Sequence, residues 1–254
     1  MPKKKTNMKK AKRKITNHSA KLKKTKSSSR YKSYLKDKAT KKRYKNVIEE
    51  YTSIAHIYDE RWKKYLKATE DILLKQLKLK GRETIIDAGC GTGSLICNIQ
   101  ENYKYKGKII GFDITPAMLD IAELRFTKKK KFKTNLQLEL AHCENFGAKK
   151  DSVDIIICTN VFHHLPHPEH ALNEFYRVLK NSGRLVLLDF CNDYPSTKLL
   201  DTVARIFHKA HHKSYSSDEM KDLLKKHKFK ISSFKKWKAT KLVGVMMFDA
   251  RKRT

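Results

Sequence analysis

The chain is short of acid. Its 254 residues hold 26 Asp and Glu against 58 Lys and Arg, a formal net charge of +32. It is also short of cysteine. Cys90, Cys97, Cys143, Cys158 and Cys191 lie in or beside apolar stretches at no metal-ligand spacing, so they read as reduced core thiols of a cytoplasmic, cytosolic-type protein, and no metal site is expected. Long apolar runs are missing. None approaches the length of a membrane span, and no signal-peptide core follows the charged start, so the reading has no transmembrane segment and no secretory leader. Aromatics are sparse at the N-terminus, where Tyr31, Tyr34 and Tyr44 are the ones present in the first 45 residues. That argues against a stacking platform for single-stranded nucleic acid.

The positive charge is unevenly spread. Residues 1–46 carry 20 Lys and Arg and one acid, Asp37. With 47 Lys to 11 Arg over the whole chain, the excess in the remainder fits a low-GC coding bias and is weak evidence for nucleic acid binding. Residues 1–45 cannot bury enough apolar surface to offset the entropy of ordering, so they read as a disordered basic tail ahead of a domain at 46–254. Three roles fit the tail. It can be a solvated segment without a specific role, a non-specific contact for a polyanion such as RNA or an anionic membrane, or a nuclear-localisation patch built on Lys3-Lys4-Lys5 and Lys9 to Lys14. Solvation or loose polyanion contact is the default.

The domain is organised around TIIDAGCGTGSL, residues 84–95. Thr84-Ile85-Ile86 suits a strand buried on both faces, and Asp87 stands at its carboxyl end. Gly89, Gly91 and Gly93 follow at alternate positions, and Ser94 onward opens a helix. A strand, a glycine turn and a helix N-terminus converge backbone N–H groups on one point. The dinucleotide pattern G-x-G-x-x-G needs a glycine where Ser94 stands. Twenty residues past Gly93, Asp113 ends a second strand, where a carboxylate can accept from both ribose hydroxyls of an adenosine. Pro116 to Leu119 then starts a helix with Met118 in its first turn. Residues 135–144 alternate as a third strand that runs into His142 and Cys143. Residues 152–165 form a fourth strand that exits through Thr159, Asn160, His163 and His164. Ligands in open α/β sheets bind outside the carboxyl ends of strands, which draws Thr159, Asn160 and His163 to the site.

The rest of the reading is coarse. Residues 47–79 show helical spacing, and 168–179 form a helix that Gly183 stops. Residues 184–191 are a fifth strand. Within residues 192–212, Leu199, Leu200, Val203, Ile206 and Phe207 mark an amphipathic helix that walls a pocket or lies on an anionic surface. Ser216 caps another helix, and 229–237 and 242–250 are two final strands.

Taken together, DAGCGTG, GFDITPAML, FHHL and RVLKNSGRLVLLDF resemble the successive motifs of the class I S-adenosylmethionine-dependent methyltransferases. The segment YTSIAHIYDERW is similar to the one that precedes the first motif in the ubiquinone and menaquinone biosynthesis group. The resemblance covers about 47–252. It implies an α/β, Rossmann-like seven-stranded sheet with helices on both faces and S-adenosyl-L-methionine as cofactor. It places the cofactor on Asp87, Gly89, Gly91, Thr92, Gly93, Asp113, Met118, His142, Cys143, Thr159 and Asn160. His142 departs from the acid usual at the adenine. Tyr58 and Trp62 become lid candidates, and His163, His164 and Tyr58 are the candidates for a catalytic base. The expected acceptor is a small, partly apolar molecule of quinone or lipid type. The alternatives are an RNA or protein methyltransferase tethered by the tail, and a non-catalytic binding protein that keeps the fold. An oxidoreductase is a weaker fourth reading.

Overall fold

The computed structural model describes residues 38–127 and 136–253. Helix α1 (Lys38–Ile54) buries Thr40, Tyr44 and Val47 on one stripe, and α2 (Tyr58–Leu77) does the same with Tyr65, Thr69, Leu73, Leu74 and Leu77. Recurrence at three and four residues is what puts such side chains on one helix face. The alternation of strand and helix then gives β1 (Thr84–Ala88), α3 (Ser94–Tyr103), β2 (Lys108–Asp113), α4 (Pro116–Thr127), β3 (Leu136–Leu140) and β4 (Val153–Thr159). A short 3-10 turn at Phe162–His164 leads to α5 (Pro168–Val178), β5 (Leu179–Phe190), α6 (Pro195–Phe207), α7 (Ser217–Lys226), β6 (Phe229–Lys238) and β7 (Gly244–Lys252).

One seven-stranded sheet has the order β3-β2-β1-β4-β5-β7-β6. The first five strands are parallel, and β7 is antiparallel to both β5 and β6. The strand order reverses between β1 and β4, so their carboxyl ends splay a crevice there. Successive strand residues serve opposite faces. Ile85, Ile155 and Ile157 pack with Leu73, Leu77, Ile96 and Ile99 on one face. Ile86, Ile156 and Cys158 pack with Phe112, Phe146, Phe162 and Phe175 on the other. Phe146 stacks between Phe112 and Phe175 at ring separations of 4.7 and 5.5 Å. Removing one such ring to Ala costs about 3–5 kcal/mol. All five cysteines are buried, and none forms a disulfide. Among the described residues no helix is long and apolar enough to cross a membrane, and no group of His, Cys, Asp and Glu could hold a metal.

The seven-stranded sheet with helices on both faces matches the expectation from sequence, and two boundaries do not. Helix α1 begins at Lys38, inside the stretch read as a disordered tail, because Thr40 and Tyr44 are buried at 5% and 4% exposure. The remainder of that stretch, residues 1–37, lies outside the described residues, and with it the expected polyanion contact and localisation patch. The second difference is at Gly183. Helix α5 already ends at Leu179, which adopts extended backbone with φ −65° and ψ 135°. The chain runs straight into β5, and the turn at 180–183 is an irregularity inside that strand, where the register on β4 jumps from Leu179 to Arg184. The positive φ there, 60°, falls on Ser182 rather than on Gly183.

Candidate active site

The glycine turn after β1 is pinned to the end of β2. The amides of Gly89 and Cys90 donate to the Phe112 carbonyl at 2.7 and 2.9 Å, and the Gly91 amide donates to Asp113 Oδ2 at 2.8 Å. Asp113 Oδ1 accepts from the Thr115 amide at 2.7 Å. This brings the acid of β2 and the turn of β1 to one point at the sheet's carboxyl edge. The three glycines have positive φ of 79°, 52° and 74°, yet only at one would an added Cβ find open space. A Cβ on Gly89 would overlap the Val161 methyl, and one on Gly93 would meet Phe126 at 2.5 Å. A Cβ on Gly91 would meet nothing within 4 Å. Gly89 and Gly93 are therefore glycines for packing, and Gly91 is the glycine that leaves backbone open to a ligand.

A cavity of about 90 Å³ lies over this point, lined by Gly89, Gly91, Asp113, Met118, His142, Cys143, Thr159 and Asn160. The sequence reading thus named eight residues that the fold gathers around one hole. Three of its residues stand elsewhere. Thr92 is buried and turned away, with its hydroxyl donating to Asp59 Oδ1 at 2.6 Å and its carbonyl accepting from Arg125 Nε at 2.9 Å. It ties α2 to the glycine turn. Gly93 sits against Phe126. Asp87 lies beneath the cavity at 1% exposure, and neither of its oxygens has a hydrogen-bond partner among the described residues. Burial, and then the charges of Glu70 and Asp113, push its carboxyl up to about 8.

The roof is aromatic. Tyr44, Val47 and Tyr51 of α1 and Tyr58 of α2 also line the cavity. The Tyr44 hydroxyl donates to Glu144 Oε1 at 2.5 Å, and the Tyr44 ring meets the His142 ring edge-on at 4.5 Å. Burial lowers His142 to about 4, so it presents a neutral imidazole with an acceptor nitrogen. Tyr51 Oη lies 2.7 Å from His164 Nε2. With α1 seated, 90 Å³ is far below the roughly 300–1,000 Å³ of ordinary ligand pockets. Beyond the roof lies a second cavity of about 920 Å³, bounded by Tyr65, His163, Phe190, Leu200, Val203, Ala204 and Phe207. The two share Tyr51, Tyr58, Asn160 and His164 as a common wall.

A family model described as "Methyltransferase domain" matches residues 79–241. The chain belongs to this methyltransferase family. It is similar to the demethylmenaquinone methyltransferase of Oceanobacillus iheyensis, with 30% identity over 149 residues, 58% of this chain and 59% of that one. It is similar to the ubiquinone/menaquinone biosynthesis C-methyltransferase of a Geobacter species, with 26% identity over 150 residues, 59% of this chain and 58% of the relative. The aligned part thus spans about six-tenths of the length of these curated relatives. Among solved structures, magnesium protoporphyrin IX methyltransferase from Synechocystis with bound S-adenosylhomocysteine superposes with a TM-score of 0.61, 19% identity, and coverage of 74% of this chain and 84% of that one. A methyltransferase in complex with the Trm112 activator from Haloferax volcanii reaches a TM-score of 0.70 at 15% identity, covering 82% and 98%. These last two show the shared fold.

The paired histidines are not equivalent. His164 Nδ1 donates to the Ala210 carbonyl at 2.9 Å, which leaves Nε2 to accept from Tyr51. Both of its nitrogens are engaged, and burial lowers its pKa. His163 Nδ1 donates to Asp189 Oδ1 at 2.7 Å, and the same carboxylate accepts from the His163 amide at 3.2 Å through Oδ2. That arrangement makes Nε2 the acceptor nitrogen, and His163 borders the larger cavity. Tyr58 lines both cavities, and burial holds its phenol pKa above the usual value. Sequence reasoning missed Tyr44, Tyr51 and Asp189. Asp189 alone had a visible signal, an acid closing the fifth strand. It also missed a second buried pair, His211 Nε2 with Asp201 Oδ1 at 2.7 Å. Burial raises Asp201, but hydrogen bonds from His211, Ser214 and Arg205 outweigh it and bring the carboxyl to about 2.

Proposed function

We propose that this methyltransferase binds S-adenosyl-L-methionine at the glycine turn and transfers its methyl to a small, partly apolar acceptor of hydroquinone or lipid type held in the larger cavity. The observation that carries the reading is the common wall. A space lined by Gly91, Asp113, Met118 and His142 abuts an apolar space, and Asn160, Tyr58 and Tyr51 stand between them. The residues fit the cofactor on their own chemistry. Asp113 lines the cavity and offers a carboxylate to ribose hydroxyls, Met118 and Cys143 offer soft apolar surface to a purine, and His142 offers an acceptor to its amino group. Asp87, whose buried carboxyl is held neutral up to about pH 8, would ionise beneath a cationic ligand, whose positive charge lowers a carboxyl's pKa. The names of the curated relatives place them in quinone methylation, and Phe190, Leu200, Val203 and Phe207 suit such a ring.

The bound cofactor supplies an electrophilic methyl on a sulfonium. The chain's residues align the acceptor against it and keep water out, which is where most of the rate of such a transfer arises. His163 Nε2 would take the proton that an acceptor hydroxyl gives up when the acceptor is methylated. Asp189 fixes the tautomer and balances the imidazolium. Tyr58, with its phenol held protonated by burial, donates a hydrogen bond and is not the base.

The test is thermal unfolding with S-adenosylmethionine, S-adenosylhomocysteine and NAD in parallel, followed by methyl transfer to a demethylated short-chain quinol, to RNA and to protein. Protection by the first two, about 2.7 kcal/mol at a hundredfold excess over Kd, lost in Asp113→Ala, supports the cofactor. Turnover of the quinol supports the acceptor. Absence of protection leaves the non-catalytic reading, NAD protection alone points to an oxidoreductase, and salt-sensitive methylation of RNA or protein replaces the small acceptor.

A further inference from the structure

Helix α6 turns its apolar face outward. Leu199, Ile206 and Phe207 are 66%, 71% and 74% exposed. Val203 and Leu200 lie between them at 42% and 38%. Spacings of four, seven and eight residues from Leu199 put Val203, Ile206 and Phe207 on its face, and Leu200 joins them at three and seven residues from Val203 and Phe207. A folded protein gains nothing by presenting such a stripe to water, and contiguous apolar exposure on a helix marks a docking face. Leu242, 58% exposed, extends it. Its carbonyl accepts from the Thr197 hydroxyl at 3.4 Å, and that same hydroxyl accepts from the Gly244 amide at 2.7 Å, so this loop is tied to the first turn of α6. Trp62 of α2, 40% exposed, stands on the far side of the opening.

The stripe is the rim of the larger cavity. Leu200, Val203 and Phe207 line that cavity, while Leu199 and Ile206 continue the same face outside it. Basic residues predominate at the exposed rim of the opening; the acid Glu50 also lines it, with Oε2 accepting from the Ala210 amide and Oε1 3.4 Å from His208. Arg61 and Lys64 line it, and Lys198, Lys209 and Lys241 are exposed beside the apolar residues. Of the nearby acids, Asp201 is buried and bound to Arg205 and His211, and Glu60 lies 3.6 Å from Lys63. An apolar stripe flanked by lysines, with aromatic side chains at its edge, is the composition that lies in a lipid interface.

We propose that α6, with Leu242 and Trp62, docks on the surface of an anionic phospholipid bilayer and opens the larger cavity directly onto the membrane. The apolar residues enter the headgroup and acyl boundary, and the lysines meet the lipid phosphates. The charge favours this occupant over a second copy of the chain, because a symmetric dimer on this face would bring two lysine rims together. A surface of this kind takes an apolar ligand from the bilayer without passing it through water, whatever the acceptor is.

The experiment is vesicle flotation of the full-length chain with neither cofactor nor acceptor present, so its result is independent of the methyl-transfer reading. Vesicles of phosphatidylcholine alone are compared with vesicles that also contain phosphatidylglycerol, at low and high salt. The chain is expected to float with the anionic vesicles and poorly with the neutral ones. The triple variant Leu199→Ser, Ile206→Ser, Phe207→Ser is expected to keep its thermal midpoint, since these side chains are exposed, and to lose roughly tenfold or more in partitioning. A second readout, in a Trp237→Phe background that leaves Trp62 as the emitting tryptophan, is fluorescence expected to shift to the blue on anionic vesicles and not to do so when the triple substitution is added. Equal flotation of parent and triple variant overturns the proposal and assigns binding to the Lys-rich residues 1–37. Absence of flotation by the parent, or a change in the triple variant confined to oligomeric mass, overturns it as well.

Discussion

Gly89 and Gly91 both adopt left-handed backbone, and the structure assigns them opposite reasons, which a pair of alanine substitutions separates. A non-glycine residue in that region costs about 1–2 kcal/mol. Gly91→Ala incurs this alone, since its Cβ would meet nothing within 4 Å. Gly89→Ala adds overlap with the Val161 methyl, an overpacking of about 1–3 kcal/mol. At about 2–4 °C per kcal/mol for a domain of this size, Gly91→Ala is expected to lower the midpoint by roughly 2–8 °C and Gly89→Ala by roughly 4–20 °C. Val161→Ala removes the methyl that Gly89→Ala would strike. The double variant is therefore expected to recover about 1–3 kcal/mol relative to the sum of the singles. The assay is chemical denaturation of the four proteins in a mutant cycle. A coupling within the ordinary additivity error of about 0.3–0.5 kcal/mol would refute the packing argument. Ligand protection provides the opposite split. Gly91→Ala should abolish stabilisation by S-adenosylhomocysteine despite its smaller effect on the fold.

Asp87 makes stability depend on pH in a definite direction. Its folded pKa of about 8 lies above the unfolded value of about 3.9. The folded state thus retains a proton that the unfolded state has released, and the contribution falls as pH rises from about 4 to about 8. Asp87→Asn is expected to flatten that fall by a few kcal/mol in denaturation curves at pH 5, 6.5 and 8, and an unchanged slope would show that Asp87 is ionised in the fold. Asp189→Asn leaves His163 without its orienting carboxylate, and kcat on a quinol is expected to drop about 10²–10⁴-fold with KM little changed; a drop in KM alone would remove His163 from proton transfer. Tyr51→Phe deletes the hydrogen bond to His164 and is expected to cost about 0.5–1.5 kcal/mol while raising amide exchange across α1. Exchange that stays at the parental rate would mean that Tyr51 does not hold the roof.

Much of this was legible in the chain. The parallel core could be read because β1, β2 and β4 are short β-branched runs, and β2 and β4 end in polar residues, Asp113 and Thr159, that line the site. Gly89, Gly91 and Asp113 were visible for the same reason, since their chemistry is local to a strand end. What failed to show has long-range causes. Thr92 looked like a ligand contact within its motif, but Asp59 and Arg125, both distant in sequence, turn it aside. Tyr44 looked like part of a charged tail, and its burial depends on His142 and Glu144 a hundred residues later. The distinct roles of His163 and His164 depend on Asp189 and Ala210, which no spacing in the pair reveals. Gly183 was read as a helix stop because a glycine after a helix usually is one. The helix had already ended where Leu179 pairs with Val153.

The order of the last two strands bears on how the protein is made. Strand β6 is the rim of the sheet, and its outward lysines, Lys230, Lys235 and Lys238, guard it against pairing with other chains. Strand β7 follows it in sequence yet lies inside, between β6 and β5. Until β7 has left the ribosome, β5 therefore offers a bare apolar edge with no lysine guard, and β6 has nothing to pair with. A message truncated before residue 244 loses an interior plank of the sheet rather than its border. Strand β7 is thus the piece that joins the lysine-guarded rim to the parallel core, and the site at the β1/β4 crevice lies two strands away from it.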